Sequence, residues 1–367
     1  MATIKVKDVT GYLDALAPPS YQEDYDNSGL LTGDSGWEVN GVLVTLDCVE
    51  RVVEEAIARG CNLIVAHHPI IFRGLKKVSG RGYVERTIAK AIKNDIAIFA
   101  VHTNLDNLRT GVNKKIATRM GLVRTRILVP RTDTLLKLET FVPKDRVEEV
   151  LRALHSAGAG QIGEYSDCSF QTAGRGRFTP GNRAAPHVGT AGNPEQADEI
   201  KVEVLVPRDA EHRVLTALRA AHPYEEVAFY LSSLQNENQD VGAGMIGDLE
   251  EGLEPIEFLR RLKSSMATAC IRHTAPGQNR INKVALCGGS GAFLLPQAIR
   301  AGADAFVSAD FKYHEFFDAD GKILIADIGH YESEQFTKDL LMEVLKEKFP
   351  TFAINFSEYV TNPISYL

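Results

Sequence analysis

Histidines and a carboxylate follow two apolar stretches of this chain. His67 and His68 come directly after one apolar run, and His102 and Asp106 follow the next. Continuously apolar runs of this kind are typical of parallel strands that helices cover on both faces. In an open α/β sheet, ligands bind outside the carboxyl ends of the strands. The sequence therefore predicts that these four side chains lie at a ligand-binding edge of such a sheet.

A second group of the same chemistry occurs near the C-terminus. His330 and Glu334 lie four residues apart, a spacing that places both side chains on one face of a helix. The combined candidate metal ligands are His67, His68, Asp106, His330 and Glu334. Three imidazoles with two carboxylates suit Zn²⁺, Fe²⁺ or Mn²⁺ better than Ca²⁺ or Mg²⁺. Five ligands exceed a four-coordinate site, which favours two divalent ions bridged by a carboxylate or hydroxide.

A simpler interpretation treats these histidines as polar residues at strand ends, since a single histidine in a protein is more often structural than metal-binding. Four of the ten histidines, together with two carboxylates, directly follow predicted apolar strands. This concentration favours metal binding over the simpler interpretation.

Other polar residues at predicted strand ends have several interpretations. His102 is a candidate further ligand, a group that orients a ligand, or a catalytic base. Lys312 and His314 follow a later strand, where lysine can bind an anionic substrate and histidine can transfer protons. A salt bridge and a surface histidine explain these two residues equally well. Asp26 and Asp47 are either groups that orient ligands or simple turn residues.

A glycine-rich segment, Gly288-Gly289-Ser290-Gly291, follows another apolar strand. Glycines after a strand can cradle a phosphate group, but this segment lacks the complete P-loop and dinucleotide-binding motifs. We therefore expect a tight turn here.

Composition excludes several classes of protein. The chain has 367 residues, of which 44% are hydrophobic, so it can bury a large core in two or three domains. Its net charge is −7, which gives no electrostatic support for a nucleic-acid partner. No signal-peptide pattern and no membrane-spanning apolar run is evident. The five cysteines are scattered and form no CxxC pair, so we expect reduced thiols and a cytoplasmic protein.

Alternating strand and helix signals predict an α/β fold with an inserted domain. Residues 1–128 and 240–367 are each predicted to form an α/β lobe. The two lobes resemble each other in the spacing of small and apolar residues, and together they surround a mostly parallel sheet. Their strand ends are expected to face a common cleft that contains the metal ligands.

Residues 129–239 show a different pattern. Strand and helix signals occur in the order βαββαβ, which is typical of a ferredoxin-like α+β domain. Within this segment, residues 173–198 are rich in Gly, Pro, Arg and Asn and are predicted to form a long loop.

Five segments of the chain resemble motifs of the GTP cyclohydrolase 1 type 2 family, also called the Nif-three-like dinuclear metal proteins. They occur in the family's order and are Asp26-Asn27-Ser28-Gly29-Leu30, Ala66-His67-His68-Pro69, His102-Thr103-Asn104-Leu105-Asp106, Lys312-Tyr313-His314 and Gly329-His330-Tyr331-Glu332-Ser333-Glu334. The resemblance implies two metal ions on the five ligands above, with Glu334 contacting both, and a toroidal homohexamer. Relatives often carry Trp where this chain has Tyr25, an exchange that leaves the implied chemistry unchanged.

The middle domain resembles the PII and CutA trimers, which form the insert in longer bacterial members of the same family. Its recognisable segment is His222-Pro223-Tyr224-Glu225-Glu226. The resemblance therefore implies a PII/CutA-like domain between the two lobes.

The leading functional hypothesis is a metal-dependent hydrolase. Two divalent ions activate a water molecule, which attacks a ring carbon or a phosphoryl group. The resemblance implies opening of the guanine ring of GTP, and phosphoester hydrolysis uses the same metals. The alternative is a metal-binding regulatory or metal-delivery protein without turnover. The expected partners are a small-molecule substrate, for which the resemblance implies a nucleotide, and further copies of the chain. No nucleic-acid or membrane partner is expected.

Overall fold

The computed structural model describes residues 3–367, which form two compact units. Unit 1 combines the chain up to Pro130 with Gln239–Leu367, and unit 2 comprises Arg131–Asn238. The two outer segments, which the sequence assigns to separate lobes, thus belong to one unit. In the described part of the chain, no helix is long and apolar enough to cross a membrane.

The first segment of unit 1 alternates strands and helices. Its elements are α1 (Val6–Leu16), β1 (Gly29–Thr32), β2 (Val42–Asp47), α2 (Glu50–Ala58), β3 (Leu63–His68), α3 (Tyr83–Lys93), β4 (Ala97–Ala100), α4 (Thr103–Asp106), α5 (Val112–Arg119) and β5 (Leu122–Arg131). The helices are amphipathic; in α2, for example, Val52, Val53 and Ala56 form the buried stripe.

Unit 2 consists of a four-stranded sheet and two helices. Its elements are β6 (Leu135–Pro143), α6 (Val147–Ser156), β7 (Phe170–Phe178), β8 (Glu195–Pro207), α7 (Glu211–Ala221) and β9 (Phe229–Leu234). The strand order is β7-β8-β6-β9, and all neighbouring strands are antiparallel. Leu154 of α6 and Leu218 of α7 pack with Leu138 and Val204 of the sheet into one apolar core.

The second segment of unit 1 completes the chain. Its elements are β10 (Asn238–Leu253), α8 (Pro255–Ser265), β11 (Arg272–His273), β12 (Ile281–Ser290), α9 (Leu295–Arg300), β13 (Ala305–Ala309), β14 (Leu324–Asp327), α10 (His330–Glu334), α11 (Thr337–Lys348) and β15 (Ile354–Phe356). Short 3₁₀ helices lie at Pro19–Tyr21, Lys144–Arg146, Arg208–Ala210, Ala292–Leu294 and Tyr313–Ala319.

Unit 1 contains two sheets. The first has the order β1-β4-β3-β2-β15, in which only β1 runs antiparallel to its neighbour. The second has the order β11-β14-β13-β12-β10-β5, with β14, β13 and β12 parallel at its centre. The mixed α/β class is therefore confirmed, but the single mostly parallel sheet is wrong, because the strands form two sheets. Each sheet takes one edge strand from the other segment of unit 1, namely β15 in the first sheet and β5 in the second.

The main apolar core lies between these two sheets. It joins Val44 and Val65 of the first sheet to Leu286 and Val307 of the second, with side chains from α1, α5, α8 and α11. The opposite face of the first sheet packs on α2 and α3, and that of the second packs on α9. Because the central strands are buried on both faces, their sequences are continuously apolar.

One boundary prediction in unit 2 is wrong. The loop predicted at residues 173–198 is shorter, because β7 extends to Phe178 and β8 begins at Glu195. The glycines and arginines of β7 pair with β8 through backbone hydrogen bonds, as in the register of Arg175 with Asp198. Most β7 side chains are exposed, so the strand lacks the apolar alternation that would reveal it in the sequence.

Candidate metal centre

Four histidines of unit 1 share one arrangement, in which Nδ1 is held by an oxygen atom. The pairs are His67 with Val101 O (2.8 Å), His68 with Asp47 Oδ1 (2.8 Å), His102 with Asp26 Oδ1 (2.7 Å) and His330 with Asp310 Oδ2 (2.7 Å). A carbonyl or carboxylate oxygen can only accept, so each Nδ1–H donates. In the neutral ring this leaves a lone pair on Nε2, which is the atom that binds a metal.

The Nε2 atoms of three of these histidines converge on two carboxylates, the buried Glu334 and the half-buried Asp106. Glu334 Oε2 lies 2.9 Å from His68 Nε2 and 3.2 Å from His330 Nε2. Glu334 Oε1 lies 4.0 Å from His67 Nε2, which is also 3.5 Å from Asp106 Oδ1. His330 and Glu334 thus share one face of α10, as their spacing predicts.

Three overlapping triads have ligand atoms close enough to hold a metal ion. They are His67-His68-His102, His68-His330-Glu334 and His67-Asp106-Glu334, each with its ligand atoms within 4.8 Å of one another. Glu334 belongs to two triads, and its two oxygens face different histidines. The geometry therefore brings all five predicted ligands together, with His102 beside them.

Two polar atoms at this position are buried and unsatisfied. Among the described residues, His67 Nε2 and Asp106 Oδ1 have no hydrogen-bond partner. Leaving one such atom unpaired costs about 1–3 kcal/mol. A cation between the two atoms would satisfy both, so the residues present fit a metal ion.

Burial and charge set the protonation of the cluster. Burial, with the neighbouring charge of His68, lowers the pKa of His67 to about 3. For His68, burial acts in the same direction, but hydrogen bonds to Asp47 and Glu334 outweigh it and raise the pKa to about 10. Burial also lowers the pKa of His330, but the charges and hydrogen bonds of Glu334 and Asp310 outweigh it and raise the pKa to about 11.

The pKa values of the two carboxylates shift in opposite directions. Burial and the charge of Glu334 raise the pKa of Asp106 well above its usual range. Burial would do the same to Glu334, but the charges and hydrogen bonds of His330 and His68 hold its pKa well below its usual range. Protons on the two histidines therefore neutralise the cluster where a metal cation would otherwise do so.

Asp26 holds His102 within a hydrogen-bonded turn. It accepts hydrogen bonds from His102 Nδ1 and from the backbone N (3.0 Å) and Oγ1 (2.5 Å) of Thr103. Burial would raise the pKa of Asp26, but these bonds and the charge of His102 keep it well below its usual range. Asp26 and Asp47 are thus groups that orient imidazoles, which was one of their two predicted roles.

The glycine-rich segment lets a strand pass close to Glu334. A Cβ atom on Gly289 would lie 2.4 Å from Glu334 Oε1, and Gly289 has a φ of +62°. Its N–H donates to Ser333 Oγ at 2.9 Å. The tight turn predicted here is wrong, because β12 continues through Ser290 with an irregular register after Leu286. The glycines serve close packing against α10.

Lys312 and His314 lie outside this cluster. Both side chains are exposed, and the His314 ring contacts the rings of Tyr313 and Phe317. Within residues 3–367, neither side chain contacts the metal-ligand candidates. Their catalytic roles stay predictions.

Sequence reasoning did not single out Asp310 or Thr361. Asp310 follows β13 as Asp47 ends β2, so a search for carboxylates at every strand end would have found it. Thr361 Oγ1 donates to Asp47 Oδ2 at 2.5 Å from a segment without regular secondary structure. No sequence pattern marks that contact.

Cys287 borders the cluster, where burial and the charges of Asp106 and Glu334 raise its pKa, so its thiol stays protonated.

Comparisons with known proteins identify the family of this chain. A family model described as Duf34/NIF3 (NGG1p interacting factor 3) matches residues 4–363. Relatives from Halalkalibacterium halodurans and Bacillus subtilis, both named GTP cyclohydrolase 1 type 2 homolog, are 38% identical over 96% of this chain and 96% of each relative. The crystal structure of a Bacillus cereus protein related to NIF3 matches over 100% of both chains, with a TM-score of 0.89 and 35% identity.

Fold and site together define a mixed α/β protein with a buried histidine–carboxylate cluster whose geometry suits a metal ion. The chain belongs to the Duf34/NIF3 family, whose model spans nearly its full length. The family resemblance of the sequence is thereby confirmed.

Replacing Asp47 by Asn tests the orienting role of the Nδ1 partners. An amide can donate to His68 Nδ1 and so favour the wrong tautomer, and we expect the affinity of the centre for Zn²⁺ to fall about 10- to 100-fold. Competition with a chromophoric chelator measures this. Asp95→Asn is the matched control, because Asp95 is exposed and remote from the cluster. Equal affinities of the two variants would contradict the orienting role.

Metal binding should release protons. In the metal-free protein at pH 7.5, His68 (pKa about 10) and His330 (pKa about 11) are protonated, and both must lose a proton to bind a metal. His67 is already neutral and releases none. We expect at least two protons per chain, and hence an affinity that rises about 100-fold per pH unit. Calorimetry in buffers of different ionisation enthalpy counts the released protons. A binding heat that is independent of the buffer, together with an affinity that does not change with pH, would refute proton release.

Proposed function

We propose that this protein is a hydrolase that uses two divalent metal ions to act on a nucleotide or another phosphoester. The observation that carries the proposal is the shared position of Glu334 in two triads of metal-binding side chains. One ion would be held by His67, Asp106 and Glu334, and the other by His68, His330 and Glu334. The nitrogen–oxygen ligand set supports zinc, iron or manganese.

The metal ions would lower the pKa of a water molecule towards neutrality and so supply a nucleophile. The protein's own contribution to proton transfer is assigned to His102, whose ring lies 5.4 Å from that of His67 and 5.3 Å from that of His68, between centroids. Its Nε2 accepts a proton from the attacking water. Asp26 fixes the tautomer through Nδ1 and stabilises the charge that His102 gains.

The relatives support a nucleotide as the substrate. Those that match over nearly the full chain are named GTP cyclohydrolase 1 type 2 homolog. Ring opening of GTP and hydrolysis of a phosphoester place the same demand on this centre, which is a nucleophilic water beside a proton acceptor. Both reactions therefore belong to the proposal.

The architecture of unit 2 and the assembly complete the proposal. The order β6-α6-β7-β8-α7-β9 and the sheet order β7-β8-β6-β9 support a ferredoxin-like, PII/CutA-like domain. The family resemblance supports a homohexamer, and the five cysteines, which are all free thiols, support the reducing environment of the cytoplasm.

Replacing Glu334 by Gln tests the shared ligand. The amide removes the buried charge common to both metal positions, so we expect elemental analysis to fall from two metals per chain to fewer than one. Turnover of GTP and of a generic aryl phosphoester should be lost with the metal. Glu250→Gln, at an exposed position of β10, should keep both metal and turnover. If the Glu334→Gln variant kept two metals per chain, the proposal that Glu334 is a ligand of both metal ions would be refuted.

Replacing His102 by Asn separates proton transfer from metal binding. Because His102 is assigned to proton transfer and not to metal binding, this variant should keep two metals per chain while kcat falls about 10²- to 10⁴-fold. Elemental analysis and steady-state kinetics on one preparation give both readouts. Loss of metal would make His102 a ligand. Wild-type protein that holds metal but turns over none of these substrates would support the metal-handling alternative.

A further inference from the structure

A basic loop follows the histidines at the end of β3. Residues 71–82, called the basic loop below, connect β3 to α3 and contain no carboxylate. The loop carries four exposed cations, namely Arg73, Lys76, Lys77 and Arg81. The chain as a whole has a net charge of −7, so this local excess of positive charge runs against its overall balance.

The protein does not neutralise these four charges. In the part of the chain that the structure describes, none of the four side chains has an ion-pair or hydrogen-bond partner. The acidic residue Glu85 instead accepts hydrogen bonds from the backbone N atoms of Ser79 (2.8 Å) and Arg81 (3.1 Å). By contrast, Arg86 just beyond the loop pairs with Glu50 at 2.9 Å. The basic loop is therefore a free cationic surface.

Both ends of the basic loop are held in place. Asn27 Nδ2 donates to Ile71 O at 2.6 Å, and Ile71 and Leu75 pack against the apolar core between the first sheet and its outer helices. The hydrogen bonds to Glu85 fix the other end. With Ile71 and Leu75 packed inward and both ends held, the loop carries its four cations on the outer surface.

The start of the basic loop borders the candidate metal centre. The Phe72 ring lies 6.2 Å from the His102 ring and 6.1 Å from the Tyr25 ring, measured between centroids. Phe72 is 45% exposed and Tyr25 65% exposed, so the two rings form an exposed surface beside His102. Lys76 follows four residues after Phe72, which limits their Cα separation to about 14 Å.

We propose that the basic loop binds the phosphate groups of a small-molecule substrate beside the metal centre. The inference rests on the proposed function, because it assumes that a substrate reaches the centre past His102. Ammonium and guanidinium groups are the side chains that bind phosphate oxygens most strongly. Unpaired cations beside this surface also raise the rate at which an anion arrives.

Binding of inorganic triphosphate to the full-length chain tests the assignment. Calorimetry is run on the metal-loaded protein and again after a chelator has removed the metal. The double variant Lys76→Gln/Lys77→Gln should bind triphosphate about tenfold more weakly than wild type in both states, since each exposed ion pair contributes modestly. The difference should shrink at high salt. The charge-matched control, Lys93→Gln/Lys346→Gln, removes two exposed cations elsewhere and should bind within about twofold of wild type.

The outcomes separate this inference from the proposed hydrolase. No binding by wild type, equal affinity of the Lys76/Lys77 variant and wild type, or an equal loss in the control would each overturn the anion-binding role. If the loop variant alone loses affinity while no substrate turns over, the loop assignment stands and the hydrolase fails. If GTP turns over and the loop variant keeps the wild-type KM and triphosphate affinity, the hydrolase stands and the loop assignment fails.

Discussion

The buried carboxylate of Glu334 is the constraint on which unit 1 depends. Its side chain is 3% exposed, and a charge so deeply buried is strongly unfavourable unless it is paired. The pairing comes from His68, 266 residues away in the chain, at the end of β3, and from His330 on α10 itself. The two sheets of unit 1 are thus joined electrostatically at the point where their strands end. Positive charge beside Glu334, whether it comes from protons on the histidines or from metal ions, therefore stabilises both the site and the fold of unit 1.

A layer of fixed acceptors around the cluster makes this charge arrangement specific. Asp47, Asp310 and Asp26 each hold one imidazole by Nδ1, so the reactive Nε2 atoms are directed before any ligand binds. Gly289 adds a steric condition, because only a residue without Cβ allows β12 to approach Glu334 so closely. The site is therefore preorganised by short strands and turns, and its geometry depends little on mobile side chains.

Those same features explain what the sequence could and could not predict. Continuously apolar strands identified the ends at His68 and His102, and the four-residue spacing placed His330 beside Glu334. Asp310 stands at a strand end, which the sequence shows, but its pairing with His330 and the packing of Gly289 against Glu334 are contacts between separate segments, which no local pattern encodes. Most of the exposed strand β7 was assigned to a loop for a related reason, since backbone pairing with β8 defines the strand and side-chain burial does not.

Electrostatics connects the metal centre to the basic loop. Five carboxylates surround the cluster, namely Asp26, Asp47, Asp106, Asp310 and Glu334. Two divalent ions would supply four positive charges, so the filled centre with neutral imidazoles would still be slightly negative. A phosphate-bearing substrate would meet repulsion there unless further cations lay nearby. The first cation of the basic loop, Arg73, follows His68 by five residues, and the four cations together would offset that repulsion. In the proposed hydrolase, the metal centre would supply the chemistry and the basic loop would make the site attractive to an anion.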